Sequence, residues 1–369
     1  MKKRLLVLEN GCSFLGDSFG AEGESICEIV FNTQMVGYQE ILSDPAYCGQ
    51  MVVMSYPLIG NYGLADEDYE SHGIYLGGLI VREYNDQPSN FRASKTLAQE
   101  MEDNGVVGIS GVDTREIVSI IRDQGTMKAM ICDADKNVDE AVSQLKKHKC
   151  DKELVAKVSS KRMWYSRTRN PEYTVAIIDC GVKLTNVKSL NNCGCNVIVF
   201  PYDVKEEEIL KYKPDGIFVS SGPSNPEYIA CVSETVKAFV GKIPLLGIGL
   251  GHLIVASCYG AKIKKLKFGH RGANQAVKNL LTDKVEITCQ AHSYTVDKNS
   301  LKESGLSVTH VNLLDGEIEG LIDNKNKVIS VQYYPDFAQN VADAGYVYGT
   351  FISFMKACGG RKNAKKNRY

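Results

Sequence analysis

The chain has 369 residues, 44% of them hydrophobic and 24% charged, with 43 Lys and Arg against 44 Asp and Glu for a formal net charge of −1. Such a composition supports more than one core and excludes disorder over most of the chain. The neutral balance removes the electrostatic basis for general nucleic-acid binding, and no apolar run is long enough to span a bilayer.

The N-terminus opens on Lys2, Lys3 and Arg4, and the apolar run that follows, residues 5–8, is ended by Glu9. The run is too short for an export signal and reads as a first β-strand, so a cytoplasmic location without a membrane partner is expected. Further apolar runs at 28–31 and 50–54, bounded by Gly, Asn, Ser or Pro, predict strands. Helical patterns follow over 94–103 and 114–124, the second with Asp113 as a cap and Glu116 in an acidic first turn. Residues 1–150 thus read as a mixed α/β domain. Residues 151–172 are polar, lack a sustained period and include Pro171, which suits a linker.

The style then changes. Residues 173–178 form a continuous apolar run, the pattern of a strand buried on both faces. Helix 183–192, strand 197–200, helix 205–212, strand 216–219, helix 227–240 and strand 244–248 alternate after it. That alternation predicts an α/β domain over 173–358 with a mainly parallel central sheet. Sites in such sheets lie beyond the carboxyl ends of the strands. Attention therefore falls on the residues after Val219, Ile248 and Cys289, the last read as the end of a strand from Val285. Residues 359–369 are basic and read as a disordered tail.

The twelve cysteines are scattered without a Cys-x-x-Cys pair, which argues against a disulfide scaffold. Cys193-Gly194-Cys195 reads as a turn from a helix into a strand. The six histidines (72, 148, 252, 270, 292 and 310) show no zinc-ligand spacing, so no metal and no cofactor are expected. Residues 243–252, IPLLGIGLGH, read as a strand, a Gly-flanked turn and a helix, the form of a nucleophile elbow. Gly249 would stand at its tip, with the Leu250 N–H directed at a developing oxyanion.

Here the sequence resembles a known family, the small subunit of glutamine-hydrolysing carbamoyl-phosphate synthetase, whose C-terminal half is a class I glutamine amidotransferase domain. The resemblance runs from about residue 4 to residue 357. It rests on VFNTQMVGYQEILSDP (30–45), YPLIGNYG (56–63), SNFR (89–92) and VDTR (112–115), then on SSGPSNP (220–226) and KFGHRGAN (267–274). The first of these belongs to such small subunits, not to amidotransferases generally. The resemblance implies an N-terminal small-subunit domain and a C-terminal amidotransferase-like domain. It also implies a partner, the ATP-using large subunit that makes carbamoyl phosphate for arginine or pyrimidine synthesis. In the family, an elbow Cys thiolate attacks the glutamine amide, a His relays the proton and a carboxylate orients that His.

This sequence departs from that pattern. Gly249 occupies the nucleophile position, Tyr334 the base position within QYYPD (332–336), and Asp336 the carboxylate position. A phenol, with an ordinary pKa of about 10, is a poor base at neutral pH. The positions that correspond to the glutamine pocket also differ. Ala46, Ser224 and Leu253 replace the family's Ser, Gly and Gln. Ala291, Ser293 and Tyr294 fall in its Gln-Asn-His-Gly-Phe segment, while Gly222 and the Leu250 backbone remain. Each polar contact left unsatisfied costs about 1–3 kcal/mol, so useful glutamine affinity is expected to be lost.

The resemblance therefore implies a synthetase subunit without its own glutaminase activity. An alternative is a stand-alone protein repurposed to bind a small ligand or regulate a partner, through an apolar pocket at Gly249, Leu253 and Tyr334. A third is amidase chemistry at a relocated thiol, with Cys258 or Cys289 the candidates. His252, His270 and His292 match family positions outside the triad, where packing or hydrogen bonding is the expected role.

Overall fold

The computed structural model describes residues 2–223, 225–335 and 345–359. Ser224, Asp336 and residues 360–369 lie outside them. The chain divides into two compact units between Lys152 and Glu153.

The first unit contains β1 (Lys3–Leu8), β2 (Ser13–Gly20), β3 (Ser25–Asn32), α1 (Tyr38–Ser43), β4 (Gln50–Met54), β5 (Leu58–Ile59), β6 (Gly78–Ile80) and β7 (Glu83–Tyr84). It continues with α2 (Leu97–Asp103), β8 (Val107–Ser110), α3 (Thr114–Gln124), β9 (Met127–Asp133) and α4 (Val138–Lys147). Seven strands close into a barrel in the order β1-β2-β8-β6-β4-β3-β9, and β5 pairs separately with β7. Closure comes from β1, which pairs with both β2 and β9. The sequence pattern does not predict a closed barrel, because short apolar runs report burial and not which strands pair. The helix expected from residue 94 begins at Leu97, where Thr96 and Gln99 form a capping box. Asp113 caps α3, accepting from the N–H groups of Arg115 and Glu116 at 3.1 Å each.

The 30–45 segment is held by a dense set of hydrogen bonds. The Tyr62 hydroxyl accepts from the N–H groups of Gly37 and Tyr38 at 2.7 and 2.9 Å. Tyr38 donates to the Gly63 carbonyl, and its ring stacks on Tyr62 with centroids 4.0 Å apart. Gln39 both donates to and accepts from the Ala65 backbone. These bonds fix the loop before α1 while Met35 and Val36 stay 69% and 68% exposed.

The second unit contains α5 (Leu154–Val158), β10 (Trp164–Ser166), β11 (Tyr173–Asp179), α6 (Leu184–Asn192), β12 (Cys195–Pro201), α7 (Glu206–Leu210), β13 (Gly216–Val219) and α8 (Ala230–Phe239). There follow β14 (Leu245–Ile248), α9 (Leu250–Cys258), β15 (Ile263–Asn279), β16 (Val285–Val296), β17 (Ser307–Asn312), β18 (Ile318–Asp323), β19 (Val328–Val331) and α10 (Tyr346–Ala357). One ten-stranded sheet runs β10-β12-β11-β13-β14-β19-β18-β17-β15-β16. From β12 to β19 the neighbours are parallel. Strands β18, β17, β15 and β16 extend the sheet antiparallel, as β10 does at the other edge.

Residues 151–172, expected to form a linker, instead contribute α5 and the edge strand β10. They are pinned by polar contacts that composition does not reveal. The Trp164 indole N–H donates to Ser160 Oγ at 3.0 Å, and Ser160 donates to Asp179 at the end of β11 at 2.6 Å. The strand expected to end at Cys289 runs on to Val296, so Cys289 lies within it and not at a carboxyl edge.

The apolar run of β11 follows from burial on both faces. Val175 and Ile177 pack with Val187 and Leu190 of α6, Phe218, and Phe351 and Met355 of α10. Ala176 and Ile178 point the other way, into the cluster of Val232 and Val236 of α8 with Ile254 and Val255 of α9. Phe218 is fully buried in the first cluster. Phe218→Ala should therefore cost about 3–5 kcal/mol of stability in urea denaturation followed by circular dichroism; a loss below ~1 kcal/mol would contradict this packing.

Candidate functional site

In the parallel part of the sheet, β11 lies between β12 and β13, so strand order reverses at β11. Open α/β sheets bind ligands in the crevice beyond the strand ends at such a reversal. Four segments converge there: residues 180–183 after β11, 220–222 after β13, Gly249 after β14, and 332–334 after β19.

Gly249 adopts φ 59°, ψ −113°, a conformation glycine enters without the strain an L side chain would carry. Its N–H donates to the Val331 carbonyl at 3.0 Å, and its carbonyl accepts from His252 N–H at 3.1 Å. The Gly251 N–H donates to the Ser220 carbonyl at 3.0 Å. These bonds lock the turn between β13 and β19. Among the described residues, no backbone acceptor takes the Leu250 N–H, leaving a donor at the first turn of α9.

The structure brings Gly249 and Tyr334 together. A Cβ built on Gly249 would lie 3.8 Å from Tyr334 Cε1 and 3.1 Å from Ser221 Cβ. Tyr334 is buried, and its N–H donates to the Cys289 carbonyl at 2.9 Å. The ammonium of the buried Lys183 lies 4.2 Å from the Tyr334 ring centroid, at cation–π range. Ser221 Oγ donates to the Gly181 carbonyl at 3.1 Å, which occupies its hydroxyl proton.

The remaining sequence candidates are more scattered. Leu250 packs into the core with Ile254 and stands beside Gly222, whose own Cβ would clash with the Cys180 carbonyl. Leu253 is buried with Ala256, Val296 and Ile318, whereas Tyr334 belongs to the cluster of Phe218 and Ile248. An apolar pocket joining Leu253 to Tyr334 is therefore not formed by a shared packing cluster. Ala291 packs at the margin of the Tyr334 cluster and Tyr294 at the margin of the Leu253 cluster. Ser293 accepts from Arg271 Nη2 at 2.5 Å. Ala46 belongs to the first unit, where it is buried and its N–H donates to Asp44 at 2.9 Å.

Of the thiols considered as relocated nucleophiles, Cys258 donates to the Ser233 carbonyl at 3.4 Å, and burial pushes its pKa up to about 11. It is a core thiol, not an activated one. His252 is fully buried, with Nδ1 3.0 Å from Ser330 Oγ, and burial pulls its imidazole down to about 4. No motif or spacing in the sequence points to Glu319. It is fully buried beside His270 and His292, and only strand pairing brings the three together.

Residues 6–131 match the family of the carbamoyl-phosphate synthase small chain, CPSase domain, and residues 176–354 match glutamine amidotransferase class-I. The carbamoyl phosphate synthase small chain of Staphylococcus epidermidis is 44% identical over 356 residues, covering 96% of this chain and 97% of its own. The chain belongs to the carbamoyl phosphate synthase small-chain family. The pyrimidine-specific small chain of Halalkalibacterium halodurans is 42% identical over 355 residues, covering 96% of this chain and 98% of its own. A solved GMP synthase structure from Thermoplasma acidophilum matches 50% of this chain and 95% of its own, at 16% identity and a TM-score of 0.45. Among the described residues of this small chain, no helix is long and apolar enough to cross a membrane.

The elbow of this small chain depends on one close approach. A Cβ on Gly251 would stand 2.0 Å from the Val219 carbonyl oxygen and 2.6 Å from its carbon. Gly251→Ala should therefore push α9 off β13 and cost at least about 1–3 kcal/mol in urea denaturation. Gly349→Ala, where a Cβ meets nothing within 4 Å, should be neutral or stabilising. Equal stabilities for the two variants would show that the contact does not hold the elbow.

Proposed function

We propose that this small chain partners the ATP-using large subunit of a carbamoyl phosphate synthase but no longer hydrolyses glutamine, so that the complex draws on free ammonia. Gly249 carries the reading. It sits at the tip of a strand–turn–helix whose backbone is in place, yet it has no side chain to attack an amide. The ring beside it is the phenol of Tyr334, under the positive charge of Lys183. A phenol there does not replace an imidazole as a neutral-pH proton relay. With no imidazole at that position, a carboxylate at Asp336 has no base to orient.

The differences around the pocket support the same reading. Ala46, Leu253 and Ala291 present no polar side-chain atom to an amino-acid substrate, and the Ser293 hydroxyl is engaged by Arg271. The partner is supported from the first unit. Tyr38, Gln39 and Tyr62 spend their hydrogen bonds holding a loop whose apolar Met35 and Val36 face solvent, and Phe91 is 97% exposed. Exposed apolar side chains on a rigid loop suit a protein contact.

The test measures ammonia release from glutamine by the purified chain and by its Gly249→Cys variant, and carbamoyl phosphate formation after co-expression with a large subunit. Neither form should release ammonia above the uncatalysed background, because the variant restores a thiol without a base. The co-expressed complex should be stoichiometric and form product from ammonium but not from glutamine. Glutamine hydrolysis by the native chain at a rate typical of enzymes, about 1 s⁻¹ or more, would refute the loss. Failure to associate with a large subunit would refute the partnership.

A further inference from the structure

The antiparallel half of the second unit buries a set of donor atoms that the elbow does not use. His270 on β15 and His292 on β16 are register partners across the ladder, and β-bulges interrupt the pairing on both sides of them. Bulges of this kind re-aim side chains. Glu319, on β18, is fully buried beneath the two rings. His270 Nδ1 lies 3.3 Å from Glu319 Oε1, and His292 Nε2 lies 3.7 Å from the same oxygen. The three ligand atoms all fall within 4.8 Å of one another. Glu319 Oε2 has no hydrogen-bond partner among the described residues.

The outer contacts determine which ring atoms face inward. Asp315 accepts from His270 Nε2 at 2.8 Å, and the Tyr294 carbonyl accepts from His292 Nδ1 at 2.9 Å. Each ring therefore spends one N–H outward and, when neutral, turns a lone pair toward Glu319. A third oxygen joins them. Thr288 donates to the Gln275 carbonyl at 3.0 Å, so it can only accept from Gln290 Nε2, at 3.1 Å. That fixes the Gln290 amide with Oε1 facing His292 Nε2 at 3.2 Å. Two nitrogen lone pairs, a carboxylate and an amide oxygen thus converge where nothing but a cation can relieve their repulsion. One amide donor reaches the cluster, Asn312 Nδ2, 3.3 Å from His270 Nδ1 and 3.4 Å from Glu319 Oε1.

We propose that His270 Nδ1, His292 Nε2 and Glu319 hold a zinc-type divalent transition cation, with Gln290 Oε1 placed to complete the shell. The donor set and its outer partners fit that chemistry. Zinc takes imidazole and carboxylate ligands at about 2.0–2.2 Å in a tetrahedral shell, which sets neighbouring ligand atoms about 3.3 Å apart. Ligating histidines donate their other ring N–H to a carboxylate or a backbone carbonyl, as His270 and His292 do here to Asp315 and Tyr294. The ligands come from three strands, so the ion would clamp β15 and β16 to β18. Strand β16 carries Cys289, whose carbonyl receives the Tyr334 N–H, so the clamp also braces the ring beside Gly249. The role is structural, and the proposal stands apart from any reading of the glutaminase chemistry.

The full chain, stripped with a strong chelator and re-equilibrated with micromolar zinc, should retain about one zinc per chain by elemental mass spectrometry and melt several degrees higher than the stripped form. Cobalt(II) in place of zinc should give tetrahedral visible absorption bands without sulfur-to-cobalt charge transfer. His270→Ala and His292→Ala should abolish both, whereas His148→Ala should change neither. Should the alanine variants fail to fold, Glu319→Gln keeps the shape and should weaken zinc retention at least tenfold. Absence of retained zinc in the native chain would overturn the proposal and assign the charge between Glu319 and His270 to a proton instead. Thiolate charge-transfer bands, or zinc retention unchanged in Glu319→Gln, would also overturn it.

Discussion

The second unit is organised by a backbone contact. Helix α9 begins so close to β13 that Gly251 has no room for a side chain beside the Val219 carbonyl, and Gly249 is tied by its N–H to the last residue of β19. These are main-chain interactions, insensitive to which side chain the elbow residue carries. The turn keeps its shape with Gly249 at its tip, and the Leu250 N–H keeps its place at the head of the helix. An elbow built this way can lose its nucleophile without losing its fold, because the chemistry was never what held it together. Glycine is also the residue that relieves the backbone strain of such a turn.

The polar interior is settled differently in the two parts of the sheet. At the elbow, the space opposite Gly249 is filled by the Tyr334 ring with Lys183 stacked on it, an arrangement satisfied by packing and cation–π attraction. In the antiparallel extension, His270, His292, Glu319 and Gln290 remain buried together. Burying unpaired charge costs several kcal/mol, so such a cluster persists only where a proton or a metal offsets it. The first region has drifted toward an apolar, structural solution, and the second retains an ionic one.

The first unit orders a surface. Its hydrogen bonds among Tyr38, Gln39, Tyr62 and Ala65 are directed inward, at an entropic cost in ordering the loop. What that ordering leaves outside is apolar. Rigid exposed apolar side chains serve association better than flexible ones, because less freedom is lost on docking.

Much of this was legible in the residues. Local periodicity specifies which positions are buried, so the alternating elements from β11 to α9 could be placed, and the run in β11 announced two covered faces. The glycine spacing around Gly249 announced the sharp turn, and the residue identities at 249 and 334 announced the missing thiol and imidazole. Pairing was not legible. Closure of the first barrel through β1, entry of β10 into the sheet, and continuation of β16 past Cys289 depend on contacts between segments distant in sequence. So does the separation of Leu253 from Tyr334 into different packing clusters. The gathering of His270, His292 and Glu319 is the clearest case: no spacing rule links them, since they stand on three strands whose order the sheet alone decides. Sequence determines burial and turn chemistry because those are local. The tertiary structure decides which buried groups meet, because that depends on strand order and register.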